Sequence, residues 1–304
     1  MTEFEKILYE QNANKEPKKA TETTDEKKSY GEQMKEKRDR CYAMVSDACM
    51  EIPSDEEHFK RFLSVLSRFE RYSLNNNILI YAQKPNAMRL KDHYKVFAEK
   101  QRIREGAKPV YILEPEKVSG EGGEWTRYNA VAKYDVADLE KEPLVIEPAL
   151  DDKMKIRALL HKCPVEVKTV PANEYPAERK CGAYYDVEHN RIVAKSDMGY
   201  DEIFLSVAEA LAHVEMKRSV EGAYDPRQYT FEAKCAAYAL AKRYAVPTDA
   251  IDLSKVAERY HDRNEEETKA SLAMIHKGVK GIHYRMTLKL EPPKEQNRED
   301  GEAR

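Results

Sequence analysis

Between Phe62 and Pro85 the chain reads FLSVLSRFERYSLNNNILIYAQKP. Apolar side chains recur at helical spacing from residue 59 to residue 69, which predicts one amphipathic helix. Ser54 stands three residues before Glu57, so we expect a capping box at its start. A second helix is predicted over residues 75–83, and the following Lys-Pro-Asn sequence ends it.

Further helical and strand patterns lie on both sides of a linker with two prolines at residues 142–148. Helices are predicted over 40–50, 151–161, 201–220, 231–244, 253–260 and 265–283, and strands over 110–113, 130–134, 165–170, 182–185 and 191–194. The glycine-rich run 120–123 is typical of a hairpin loop or a mobile insertion. We therefore predict an α+β fold with domains at 39–145 and 146–290, and disordered segments at 1–38 and 291–304.

The composition indicates a soluble protein of the cytoplasm. Charged residues make up 35% of the chain, and no stretch approaches the roughly 20 apolar residues that span a bilayer, so we expect no membrane partner. The first residues lack the apolar core of a secretory signal. The five cysteines contain no Cys-x-x-Cys pair, which argues against a zinc ribbon or a disulfide scaffold and suits a reducing compartment.

Positive charge is concentrated in the first predicted domain. Residues 59–108 contain twelve Lys or Arg and four Asp or Glu, a net charge of +8 in a chain whose total is -3. Aromatic and amide side chains lie within this segment, which favours a nucleic-acid partner. Two other interpretations remain open, because charge runs often cover solvated helix faces and aromatic residues at helical spacing often form a core.

The same segment resembles the N-terminal domain of the antirestriction ArdC and LtrC-like proteins of plasmids and integrative conjugative elements. The resemblance is carried by Tyr72-Ser73, Asn75-Asn76 and Gln83-Lys84-Pro85, and by a basic turn at 100–109 that departs from the family pattern at Ala107 and Pro109. It implies single-stranded DNA binding. The candidate DNA-binding residues are Arg68, Arg71, Tyr72, Ser73, Asn75, Asn76, Gln83, Lys84, Lys100, Arg102, Arg104 and Lys108.

A second resemblance, to the zinc-peptidase domain of this family and of the related ImmA/IrrE peptidases, implies a zincin-like, helix-rich α+β domain. Their His-Glu-x-x-His helix binds zinc through two histidines on one face, and the glutamate activates water. The corresponding stretch, residues 206–216, reads SVAEALAHVEM, with Glu209 at the first histidine position and Ala210 at the catalytic glutamate position. His213 matches the second histidine, and Glu232 in the next helix matches the third ligand.

The degenerate motif predicts that this domain is not an active enzyme, because Ala210 cannot accept a proton from water. Glu209, His213 and Glu232 remain as candidate ligands of a vestigial metal site. We expect the chain to bind no cofactor; the alternative is that these residues bind zinc. The competing interpretation is an ordinary i,i+4 pair of Glu209 and His213.

The leading hypothesis is a single-stranded-DNA-binding protein of a mobile element, involved in antirestriction or conjugation. One alternative is an active metallopeptidase with a variant ligand set. The other is a protein-interaction factor that blocks a host defence enzyme. Such a factor would have a host or element-encoded protein as its partner.

Overall fold

The computed structural model describes residues 29–120, 123–140, 150–179 and 181–290. The helices are α1 (Tyr30–Glu51), α2 (Glu56–Arg68), α3 (Leu74–Gln83), α4 (His93–Ala98), α5 (Asp152–Leu159), α6 (Tyr200–Lys217), α7 (Thr230–Arg243), α8 (Val256–Tyr260) and α9 (Glu265–Leu290). The strands are β1 (Leu90–Asp92), β2 (Val110–Gly120), β3 (Gly123–Asp135), β4 (Glu166–Val170), β5 (Ala183–Asp186) and β6 (Arg191–Lys195). The α+β class predicted from the sequence is confirmed. The predicted disorder of residues 1–28 and 291–304 and the predicted boundary near residue 146 lie outside the described residues.

The first helix is longer than predicted. It begins at Tyr30 rather than Arg40, so residues 30–38 are helical where the sequence analysis expected disorder. The hydroxyl of Ser29 accepts a hydrogen bond from the backbone N–H of Glu32, and the Glu32 carboxylate accepts one from the backbone N–H of Ser29. This reciprocal cap satisfies two free donors and stabilises a helix start that has little apolar surface.

The second helix has a different cap from the one predicted. Asp55, not Ser54, occupies the cap position of α2, and its carboxylate accepts a 2.8 Å hydrogen bond from the backbone N–H of His58. Ser54 instead closes a 3₁₀ turn over Ile52–Ser54 that contains Pro53. Because Ser54 belongs to this turn, the cap of α2 falls on the next residue, Asp55.

The first sheet is a long antiparallel hairpin with one short additional strand. β2 and β3 pair from Val110–Lys133 to Gly120–Gly123, well beyond the predicted strands at 110–113 and 130–134. β1 pairs with the other side of β3, so the order is β1-β3-β2 and β2 lies at an edge. The Trp125 ring covers Gly120, where a Cβ atom would stand only 2.9 Å from it. A larger residue at position 120 would therefore require the exposed Trp125 ring to move.

The second sheet is mixed and packs against α6, which forms a layer with α7 and α9. β6 is central, parallel to β4 and antiparallel to β5. α6, α7 and α9 pack closely because small residues meet where they cross: a Cβ atom at Gly278 would lie 3.0 Å from Ala236 and 3.2 Å from Ala212. In the described ranges, no helix combines the length and the apolar character needed to cross a membrane.

The two halves of the chain pack against each other through α2, α7 and α9. The ring of Phe59 lies 5.7 Å from that of Phe231 and 5.9 Å from that of Tyr260. His276 donates a 2.9 Å hydrogen bond from Nε2 to the carbonyl oxygen of Tyr72. A fragment that ended near residue 145 would lose these contacts, so binding experiments belong on the full chain.

Candidate nucleic-acid interface and peptidase-like cleft

Two side-chain amides fasten α3 to the free edge of β2. Asn76 donates to the carbonyl oxygen of Leu113 at 2.9 Å and accepts from its N–H at 2.8 Å. Gln83 makes the same pair of bonds to Tyr111, at 2.8 and 2.9 Å. The backbone N–H and C=O groups of residues two apart in a strand point to the same side of it. The two amides therefore bond successive backbone positions along the edge of β2 that no other strand pairs with. The amide groups of Asn76 and Gln83, which were predicted to contact DNA, thus hold α3 against β2.

Three more of the predicted DNA-binding side chains are used internally. The Ser73 hydroxyl caps α3 by accepting from the N–H of Asn76. The Arg68 guanidinium donates to the carbonyl oxygens of Pro85 and Ala87, and burial lowers its pKa. The ammonium of Lys84 pairs with Asp138. The motif residues that carry the sequence resemblance thus serve mainly to position α3 and the loop after it.

The other basic candidates are exposed. Lys100, Arg102, Arg104 and Lys108 lie on a loop after α4, and none forms an ion pair with any residue that the structure describes. The backbone of this loop is fixed, because Ile103 bridges to Leu139 and the amide and carbonyl groups around it bond to residues 138 and 140. Arg102 and Arg104 flank the bridging residue and are both exposed, so a rigid backbone presents two free guanidinium groups to solvent.

The remaining candidates lie in the turn between α2 and α3. The side chain of Arg71 is 74% exposed, and its closest charged partner, Glu70, is 3.7 Å away. Tyr72 and Asn75 are half-buried, and the Tyr72 ring packs edge-on against Phe69. Arg71 is therefore available to a ligand, whereas Tyr72 contributes partly to the core.

Two exposed aromatic residues beside the basic loop were missed by the sequence analysis. Tyr94 and Phe97, on α4, are 67% and 64% exposed. The Phe97 ring is held by an edge contact with His93 at 4.7 Å, and the ammonium of Lys95 lies 5.9 Å from the centre of the Tyr94 ring. Tyr94 and Phe97 are three residues apart in a basic segment, and this spacing could have indicated a shared helix face. The helix α4 has only six residues, however, and is too short to give a clear helical pattern.

The degenerate motif borders a cleft. Glu209 lines a cavity of about 920 Å³ together with Cys181, Lys234 and several other side chains. Burial raises the pKa of Glu209 to about 7, partly opposed by Lys234. His213, one turn further along α6, is buried and bonds through Nδ1 to the hydroxyl of Tyr224 at 2.7 Å. Burial, assisted by Arg179, lowers its pKa to about 4, so the imidazole is neutral at pH 7.

The third predicted ligand has other partners. Glu232 accepts a 2.6 Å hydrogen bond from the hydroxyl of Ser271, and the guanidinium groups of Arg259 and Arg263 lie 3.4 and 3.9 Å from its two oxygens. No group of three His, Cys, Asp or Glu side chains within the described ranges is placed to hold a metal ion. The predicted set of Glu209, His213 and Glu232 is thus not assembled, and these residues do not fit zinc.

Neither neighbour on α6 replaces the missing base. Ala210 is buried and carries no titratable group. Glu215 pairs with Arg285 of α9 and with Arg218, and it does not line the cleft. Gly281 makes room for this pair, because a Cβ atom there would meet the Glu215 carboxylate at 2.5 Å. Glu215 is a structural residue.

Comparisons with known proteins give a distant structural likeness. No family model matches the sequence, and no curated protein matches it. The metal-free crystal structure of the antirestriction protein ArdC from the R388 plasmid is similar with a TM-score of 0.48 and 12% identity, over 71% of this chain and 85% of that one. The Mn(II)-bound structure of the same protein is similar with a TM-score of 0.47 and 10% identity, again over 71% of this chain and 85% of that one. The structural neighbour thus comes from the family that the sequence resembles, at low identity.

Proposed function

We propose that this chain binds single-stranded DNA through the surface formed by α4 and the basic loop after it. The observation that carries the proposal is the pair of exposed rings on α4, Tyr94 and Phe97, followed along the chain by four exposed basic side chains that have no ionic partner among the residues described. Exposed rings stack on unpaired bases, and free Lys and Arg neutralise phosphates with release of counterions. Together they supply the two contacts that a single strand requires.

The geometry favours a single strand over a duplex. α4 has six residues and is about 9 Å long, too short to occupy a major groove as a recognition helix does. The faces of Tyr94 and Phe97 need base faces as partners, and a duplex hides those faces in its stack. We therefore expect a preference for unpaired nucleotides with little dependence on their sequence.

The biological setting follows from the sequence resemblance. Similarity to the ArdC and LtrC-like proteins suggests that this binding serves antirestriction or conjugation on a mobile genetic element. We further propose that the peptidase-like half does not hydrolyse peptides. Two features support this: Ala210 stands where a base is needed, and the charge of Glu232 is neutralised by Arg259 and Arg263.

The first experiment measures binding to single- and double-stranded oligonucleotides of equal length by fluorescence anisotropy, at several salt concentrations. We expect the single strand to bind more tightly and its affinity to fall steeply with salt. In Arg102→Gln/Arg104→Gln, the slope of log K against log salt should flatten by about 1.4 units, because each of the two lost phosphate contacts with a single strand removes about 0.7. Equal binding of both forms, or a slope unchanged in the variant, would contradict the proposal.

A second experiment addresses the cleft. After dialysis against zinc and then buffer, we expect the purified chain to retain much less than one equivalent of metal, and to show no chelator-sensitive proteolysis. Glu209→His/Ala210→Glu should also stay below one equivalent, because Ser271 and Arg259 keep Glu232 from acting as the third ligand. Stoichiometric zinc in the unmodified chain, together with cleavage that a chelator stops, would instead identify a working peptidase.

A further inference from the structure

The last helix carries a basic surface that the proposed DNA site does not include. From Thr268 to Leu290, α9 contains five Lys or Arg and no Asp or Glu. Lys277, Lys280 and Tyr284 lie within about 100° of helix surface, given 3.6 residues per turn, and all three are exposed. Neither lysine forms an ion pair within the described ranges. We call these three residues the α9 stripe.

The α9 stripe lies beside the turn that carries Arg71. His276, one helical turn before Lys280, donates to the carbonyl oxygen of Tyr72 at 2.9 Å. Three residues after Lys280, His283 donates from Nε2 to the carboxylate of Glu70 at 2.8 Å. The two histidines therefore hold the turn against α9, with Lys280 between them.

A chain of contacts links the same turn to α4. Asn76, at the start of α3, bonds the backbone of Leu113, and the neighbouring Glu114 shares Lys133 with Asp92, the residue before α4. Lys95 of α4 also pairs with Asp92, at 3.4 Å. Lys95 in turn lies 5.9 Å from the centre of the Tyr94 ring. Among the carboxylates of this region, Asp92 and Glu114 are paired with Lys133, Glu70 with His283 and Glu99 with Lys91, and Glu105 is exposed in the basic loop. From Tyr94 through Arg71 to Lys280, the surface thus offers rings and cations.

We propose that the bound single strand continues past Arg71 onto the α9 stripe, so that the peptidase-like half supplies phosphate contacts of its own. This inference rests on the proposed function. The stripe extends the cationic surface by about 10 Å along α9, which is the rise over seven residues. A polyanion fits it better than a protein partner does, because the exposed chemistry is two free ammonium groups and a tyrosine ring. The half without a catalytic base then has a role in holding DNA.

The test compares Lys277→Gln/Lys280→Gln with Lys289→Gln in the full chain, using anisotropy of a single-stranded oligonucleotide at several salt concentrations. Lys289 is on the same helix, half a turn round from Lys280, so it controls for loss of positive charge from α9. We expect the double variant to bind about tenfold more weakly and to flatten the salt slope by about 1.4 units. Tyr284→Ala should weaken binding without changing the slope. Thermal melting should confirm that these surface variants stay folded.

The outcomes separate this inference from the proposed function. If Arg102→Gln/Arg104→Gln flattens the slope while Lys277→Gln/Lys280→Gln behaves like Lys289→Gln, DNA is bound on the first half alone and the inference is wrong. If none of the three variants changes the slope, the proposed DNA site itself is wrong, and the inference falls with it. A flattened slope in both double variants, with Lys289→Gln unchanged, supports both.

Discussion

Replacing Asn76 with alanine should lower the free energy of unfolding by about 2–5 kcal/mol. The change removes both partners of the Leu113 backbone, which is buried beneath α3. Each buried polar group left without a partner costs about 1–3 kcal/mol, and here an N–H and a carbonyl oxygen are both orphaned. Urea or thermal unfolding of Asn76→Ala measures the loss directly.

The neighbouring Asn75 provides the matched control. It is half-buried, and its side chain has no hydrogen bond to another residue that the structure describes. Asn75→Ala should therefore change stability by no more than about 0.5 kcal/mol. If the asparagine pair instead existed to contact bases, both variants would lose DNA affinity while keeping the stability of the unmodified chain. That result would overturn the structural role of Asn76.

The roles of Asn76 and Gln83 illustrate what the sequence could not decide. An amide can bond a base edge or a peptide group equally well, and the partner of Asn76 lies 37 residues away in the chain. The helix α3 was predicted because its apolar periodicity is local. The strand edge that its amides cover depends on tertiary pairing. The one available hint was the spacing of seven residues, which places both amides on one face of the helix.

The β2–β3 hairpin and the cleft also contain some features that the local sequence predicts and others that depend on tertiary contacts. Residues 114–119 of β2 are mostly polar and include Pro115, so the sequence resembles that of a loop. Proline is nevertheless tolerated in an edge strand, and β2 is an edge strand. In the second half, the presence of alanine at position 210 is read directly from the sequence. The pairing of Glu232 with Arg259 and Arg263 could not be read in this way, because these arginines come from the next helix, α8, and from the turn after it.

The largest expected effect on DNA binding is that of Tyr94→Ala/Phe97→Ala. Stacking of a base on an aromatic side chain contributes about 1–3 kcal/mol, so loss of two such contacts should weaken binding about 30-fold or more. The salt slope should barely change, because neither ring carries charge. Both rings are mostly exposed, so the melting temperature should stay close to that of the unmodified chain. Anisotropy titrations at fixed and varied salt measure both quantities.

Two comparisons make this prediction specific. Tyr94→Phe/Phe97→Tyr keeps both ring faces and should bind nearly as well as the unmodified chain, because stacking needs a face rather than a particular substituent. Tyr200→Ala removes a ring that is 46% exposed at the start of α6 and should leave affinity unchanged. If the alanine pair at 94 and 97 binds as tightly as Tyr200→Ala, while Arg102→Gln/Arg104→Gln still flattens the salt slope, the surface attracts polyanions by charge alone. The preference for unpaired bases would then have no physical basis in α4.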